Sequence, residues 1–254
     1  MKKLRLWAWL LWVILSGYVV AWILGIFILG PLTMYFLLTR RVIVRGYWRL
    51  VGEALRGKLL ILTNHPTVFV ETFLLGALLF PWFLVCPWAF VWTMPDKRLL
   101  DLWNMPGWMR VMLRCIVVDR RSRVKGGRGL LIAGQIVRAR FVVVGNPEQG
   151  RTFGEANKNK IPLVRNDREM QVIEQSLLTQ LAYETGARIL PGYIEVPYAR
   201  EQVSLQECFA RMFGKDNAKH RPVILSFTRK AYRITGPFDL AKENERLQIE
   251  IMEA

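Results

Sequence analysis

The sequence predicts an α/β domain: a mostly parallel central sheet with helices on both faces, preceded by an N-terminal hydrophobic membrane helix or re-entrant hairpin. Three observations predict it. Short apolar runs rich in Val, Ile and Leu alternate along the chain with longer helical stretches, the order that gives parallel strands with covering helices. No charged residue occurs between Trp7 and Leu38, a run longer than the roughly 20 residues needed to span a bilayer. The remainder has the length of one ordinary domain. Residues 1–40 are therefore read as a membrane anchor and 41–254 as the α/β domain, with the boundary near Arg40.

Met1-Lys2-Lys3-Leu4-Arg5 precedes the apolar run and resembles the basic start of a signal peptide. The run is too long for a signal-peptide core, and no small-residue cleavage site follows it. Trp7, Trp9, Trp12 and Trp22 suit a segment that meets a membrane interface. Arg40, Arg41 and Arg45 follow the run, so both flanks are basic and the positive-inside rule gives no orientation for a single span. A hairpin broken at Gly25, Gly30 and Pro31 would keep both flanks on the cytoplasmic side. Its second arm is too short to cross, so it would be re-entrant or interfacial. Both arrangements remain open, with the working face toward the cytoplasm.

In the domain, Leu59–Thr63 reads as a short buried strand. Pro66 to Phe80 reads as a helix, with proline in its first turn and Pro81 just past its end. Phe83 to Trp92 contains a strand, Pro106 to Arg114 a short helix, Cys115 to Val118 a strand, and Gly129 to Arg138 a helix. Phe141–Val144 is a strand of β-branched residues. Gly145 to Arg168 reads as a polar loop, and Glu169 to Glu184 as a helix stopped by Gly186. Arg188 to Val196 and Pro222 to Phe227 are further strands; Tyr232 to Thr235 is a short one, and a terminal helix starts near Asp239.

The charge narrows the partners. The 36 basic and 20 acidic residues give a net charge of +16, which favours anionic partners. The apolar amino terminus selects lipid over nucleic acid, and no nucleic acid is expected. Cys86, Cys115 and Cys208 are odd in number and far apart, the pattern of buried thiols in a reducing compartment. With two histidines, neither near a cysteine, no metal site is expected.

Ligands of such sheets bind beyond the carboxyl ends of strands. Two segments with chemistry fall there: Asn64-His65 and Asn146-Pro147-Glu148. A histidine at a helix start is biased toward the neutral form that a general base needs. Taken alone, such a histidine more often caps or packs against the helix. Glu71 lies six positions on, and could meet His65 only if the histidine folds back over the helix. Glu148 and Arg151 can aim into one crevice, the arginine toward phosphate oxygens and the carboxylate toward a hydroxyl; a surface salt bridge is the plainer alternative. Arg120, Arg121, Arg123, Lys125 and Arg128 form a basic cluster, either a solvated turn or an anion site. Lys158, Lys160, Arg165 and Arg168 form another. His220 sits in a charged turn and has no assigned role.

In their order these residues resemble the glycerolipid acyltransferase family, whose members acylate lysophosphatidic acid and related acceptors. Asn64-His65-Pro66 with a downstream carboxylate is similar to the catalytic block, and Val117-Val118-Asp119-Arg120 to the second block. Asn146-Pro147-Glu148-Gln149-Gly150-Arg151-Thr152 resembles the third, and Ile189-Leu190-Pro191-Gly192-Tyr193 the fourth. The resemblance covers about Leu59 to Pro197, and Ile234-Thr235-Gly236-Pro237 resembles a late strand and turn. The chain departs from the pattern in two blocks. The family places Asp five residues after the histidine, where this chain has Val70 and then Glu71; in the third block Asn146 replaces an aromatic residue and Gln149-Gly150 replaces Gly-Thr. The resemblance implies acyl transfer from acyl-CoA or acyl-ACP, as co-substrate rather than cofactor, to a lysophospholipid or glycerol-phosphate-like hydroxyl. It implies His65 and Glu71 as catalytic residues, and Asn64, Arg120, Glu148 and Arg151 as substrate-binding residues. The shifted carboxylate also admits a catalytically silent member of the same fold that binds lipid or partners.

Overall fold

Among the described residues, six strands form the central sheet. They are β1 (Val42–Arg45), β2 (Leu59–Thr63), β3 (Val91–Thr93), β4 (Val142–Gly145), β7 (Arg188–Glu195) and β8 (Val223–Phe227). Their order is β1-β8-β7-β2-β4-β3. Neighbours are parallel except β7 and β8, which are antiparallel. The computed structural model describes residues 30–66, 70–102, 114–118, 123–147, 161–165, 168–172, 176–197 and 222–254, with isolated positions elsewhere.

The sheet is buried on both faces because its central strands are apolar at most positions, with polar residues mainly near their ends. Leu59 and Ile61 of β2 face one core, and Leu60 and Leu62 face the other. The first core is closed by α1 (Gly30–Leu38), α2 (Tyr47–Arg56) and α3 (Val70–Phe83), through residues such as Phe36, Leu50 and Leu78. The second is closed by α5 (Arg123–Arg138), α6 (Leu177–Thr185) and α7 (Leu240–Glu253), through Ile136, Leu181 and Leu247. A short helix, α4 (Lys97–Leu102), follows β3. Helices therefore cover both faces, as the sequence predicts.

Several boundaries differ from expectation. Pro66 lies outside the helix expected to start there, which is Val70–Phe83 and so runs through Pro81 rather than stopping before it. A proline there cannot donate to the carbonyl four residues back, which is Ala77. The Thr33 hydroxyl of α1 donates to that carbonyl instead, at 3.1 Å. The Tyr47 hydroxyl donates to the next carbonyl, Leu78, at 3.2 Å. The one acceptor freed by the proline, the Ala77 carbonyl, is satisfied by the neighbouring helix α1, so the helix continues.

The stretch read as a polar loop and then a helix from Glu169 holds a hairpin, β5 (Ile161–Arg165) and β6 (Arg168–Val172). Arg168 donates to the Met252 carbonyl at 2.8 Å, and Met170 is fully buried. Docking on α7 overrides the helical spacing, and the helix is shortened to Leu177–Thr185, ending at Gly186 as expected. Phe83 closes α3 rather than opening a strand, and β3 is confined to Val91–Thr93. Cys115 to Val118 pairs with the β3 side only through isolated bridges, Thr93 to Cys115 and Asp96 to Val118. The helix expected from Gly129 begins at Arg123. Tyr232 forms a single bridge with Ile189 in place of a strand. The terminal helix is capped by Asp239, whose carboxylate accepts from the Ala241 and Lys242 amides.

Among the described residues, no helix is long and apolar enough to cross a membrane. Leu11, Leu15, Val19 and Ile23 are helical, and their side chains are exposed. Cys86 is buried and Cys115 partly so, both as free thiols; burial pushes each thiol up from its ordinary value.

Candidate active site

The four parallel neighbours β7, β2, β4 and β3 end on the same edge of the sheet. In a parallel sheet this is where loops are free to gather catalytic groups. The first block leaves β2 there. Main-chain pairing between β2 and β7 runs as far as Thr63 opposite Gly192. Asn64 then extends the ladder with its side chain. Its Nδ2 donates to the Ile194 carbonyl at 2.9 Å, and the Ile194 amide donates to its Oδ1 at 2.7 Å. Asn64 is fully buried. A buried carboxamide joined on both sides to the backbone of one residue fixes the chain direction at the next residue, His65. His65 is half-buried, and Pro66 beside it is buried.

The third block leaves β4 next door. Leu62 pairs with Gly145, so Thr63 and Asn146 emerge together. The Thr63 hydroxyl donates to Asn146 Oδ1 at 3.2 Å. This bond gives a physical reason for asparagine where the family pattern has an aromatic residue: it ties the loop after β4 to the strand that carries the histidine. Helix α6 packs close to the same junction: a Cβ at Gly145 would lie 2.7 Å from Leu178 Cδ1 and would have to displace that side chain.

The second block approaches from the β3 edge. The Lys97 amide donates to the Val118 carbonyl at 2.9 Å, and the Val118 amide donates to the Pro95 carbonyl at 3.1 Å. Helix α5 starts tight against it: a Cβ on Gly129 would lie 2.8 Å from the Val117 carbonyl oxygen. The fourth block lies inside β7. Its Pro191 is tolerated because β8 pairing begins only at Gly192, while Ile189 pairs with Tyr232. The Pro191 carbonyl is used, accepting from the Thr228 amide at 3.1 Å.

The structure thus brings His65, Asn64, Thr63, Asn146 and Pro147 to one edge. Arg120, Glu148 and Arg151 lie outside the described residues, and so does the side chain of Glu71. The backbone of Glu71 belongs to the first turn of α3. Sequence reasoning missed Thr63 and the partnership of Asn64 with Ile194. The available signal was two polar residues, Thr63 and Asn64, ending an otherwise apolar strand. Buried polar groups in that setting must find partners.

The opposite edge of the sheet is basic and structural. Arg188 pairs with Glu53 at 2.9 Å and donates to the Glu53 and Gly57 carbonyls at 3.0 and 2.7 Å, which ties the start of β7 to the end of α2. Arg114 is buried against Phe90, Trp92 and Phe141, with its guanidinium carbon 4.3 Å from the Phe90 centroid. Burial pulls it down to about 10.

No family model matches the sequence, and comparison with curated proteins finds no match. Among solved structures the chain is similar to the crystal structure of a 1-acyl-sn-glycerophosphate (LPA) acyltransferase, PlsC, from Thermotoga maritima. Identity is 16%, with 100% of this chain and 95% of that chain covered, at a TM-score of 0.48.

Proposed function

We propose that this chain is a membrane-surface O-acyltransferase. It moves a fatty acyl group from an acyl thioester, acyl-CoA or acyl-ACP, to a hydroxyl of a lysophospholipid or glycerol-phosphate-like acceptor, in glycerolipid synthesis. The observation that carries this reading is the junction at the carboxyl edge. Asn64 pins the residue before His65 to β7, and Thr63 pins the same turn to Asn146 at the head of the third block.

In this reading His65 takes the proton from the acceptor hydroxyl as that oxygen attacks the thioester carbonyl. The thiolate then leaves, with no acyl group held on the enzyme. Glu71 orients the imidazole and stabilises its charged form. Its extra methylene reaches across the one-residue shift. Arg120 and Arg151 bind the acceptor phosphate, and Glu148 holds a hydroxyl. Asn64, grouped with the substrate-binding residues on sequence alone, is better given a positioning role, because its carboxamide is spent on Ile194. General-base action contributes about 10²- to 10⁴-fold, and holding donor and acceptor together contributes much of the rest. Residues 1–40 serve as the membrane anchor, with the active site facing the cytoplasm. Exposed Leu11, Leu15, Val19, Ile23 and Phe27 support an apolar surface there.

The test is acyl transfer by purified full-length protein over a panel of lysophospholipids and glycerol phosphate, with acyl-CoA and acyl-ACP supplied separately. One acceptor class turned over by the wild-type protein is the expected result. No transfer with any pair would leave the silent, lipid-binding reading in its place.

A further inference from the structure

The surface of the α1–α3 layer is unlike that of a helical layer facing water. Helix α1 carries no charged residue. Its inward side is used by Thr33 and Phe36, yet its outward side shows Met34, Leu37 and Leu38, the last 75% exposed. A helix apolar all round needs an apolar environment on both sides.

The same surface continues beyond the anchor, onto the body of the domain. Trp48 of α2 is 71% exposed and meets Trp82 of α3 edge to face, with ring centroids 5.8 Å apart. Trp82 Nε1 donates to the Tyr47 hydroxyl at 2.9 Å, which in turn donates to the Leu78 carbonyl. The aromatic group is therefore held rigidly by the helices under it. Val85, 77% exposed, and the exposed Pro81 extend it. The stretch of chain that carries α1, β1 and α2 is strongly basic. Between Gly30 and Arg56 the only acid is Glu53, against Arg40, Arg41, Arg45, Arg49 and Arg56.

Fixed tryptophan and tyrosine beside apolar side chains, flanked by arginines, suit the headgroup level of an anionic bilayer. We infer that Trp48, Trp82 and Val85 form a second membrane contact, separate from the anchor, which lays the α1–α3 layer flat on an anionic lipid surface. Helix α3 then lies in the plane of the interface. One end carries this contact; the other, about 20 Å away at 1.5 Å per residue, opens toward His65. The anchor alone would tether the domain without orienting it, whereas two contacts hold the crevice at the lipid surface.

This inference rests on the membrane half of the proposed function and not on its chemistry. The test is partition of the full-length chain onto vesicles of phosphatidylcholine with phosphatidylglycerol. It compares the wild-type protein with Trp48→Glu, Val85→Glu and Leu131→Glu. Leu131 is the control, 69% exposed but on α5 of the opposite layer. Trp48→Glu and Val85→Glu are each expected to lower the partition coefficient about tenfold, in line with loss of one buried apolar side chain. Leu131→Glu is expected to change it less than twofold, and thermal melting checks the fold of each variant. Equal effects at all three positions, or none at Trp48 and Val85 while the wild-type protein binds, would overturn the second contact alone. A wild-type protein that does not bind would overturn the membrane reading itself. If Trp48→Glu instead splits a lipid-free dimer on gel filtration and leaves partition unchanged, the surface belongs to a second copy and the inference fails.

Discussion

The two helical layers bury the same sheet with similar residues, but their outer surfaces differ. The α5–α7 layer is dressed as a water-facing surface. Arg246 pairs with Glu250 and Glu243, Lys242 with Asp239, and Arg165 of the adjoining hairpin with Glu253. Its interior also tolerates polar groups: the Thr179 hydroxyl is bonded to Asn244 between α6 and α7. The α1–α3 layer has little of this. Its ion pairs, among the described residues, centre on Glu53 at the basic edge. Its polar bonds run mostly from side chains to backbone, and one of them, from Thr33 to the Ala77 carbonyl, closes the gap that Pro81 leaves. Since core packing alone would make the layers alike, the difference records what each one faces.

That comparison can be broken at several points. The largest effect is expected at Phe36, 2% exposed in the first core. Phe36→Ala should cost about 3–5 kcal/mol, read by chemical denaturation. A cost below about 1 kcal/mol would mean that α1 adds little to the first core. Next is the Pro81 gap. Thr33→Val should cost about 1–3 kcal/mol, because the Ala77 carbonyl loses its donor. In a Pro81→Ala background, the restored backbone amide at position 81 should take over, and the cost should shrink. A double-mutant cycle with an interaction energy near zero would remove Thr33 as the reason the helix passes through proline.

The smallest effect lies on the outer side of the α5–α7 layer. Burial raises the Glu250 carboxyl above its ordinary value, against the opposing pull of Arg246. A raised carboxyl binds its proton more tightly when folded. Its contribution is therefore present below the ordinary glutamate range and is lost as pH rises through the raised value. Glu250→Gln should flatten that slope in a melting series from pH 4 to pH 7. An unchanged slope would show that Arg246 cancels the effect of burial.

The sheet was largely legible. The runs Leu59–Thr63, Phe141–Val144, Arg188–Val196 and Pro222–Phe227 are short, largely apolar and bounded by polar or turn-forming residues, the pattern of buried strands. Gly186 and Asp239 marked helix ends by ordinary capping chemistry. What was not legible depends on distant partners. Helix α3 crosses Pro81 because of a threonine 44 positions before Ala77, whose carbonyl it caps. The hairpin at 161–172 hides because Met170 docks among residues of the second core, including α7, rather than on anything local. At the site, His65 could be found from its place after a strand. The clamp behind it could not, since Asn64 and Ile194 are 130 residues apart.

The most direct measurement is the turnover of wild-type protein against His65→Ala in the acyl-transfer assay, with both proteins bound to vesicles. The proposed chemistry predicts a fall of at least about 10²-fold, with vesicle binding and melting temperature unchanged. A His65→Ala protein that transfers acyl groups at the wild-type rate would contradict it.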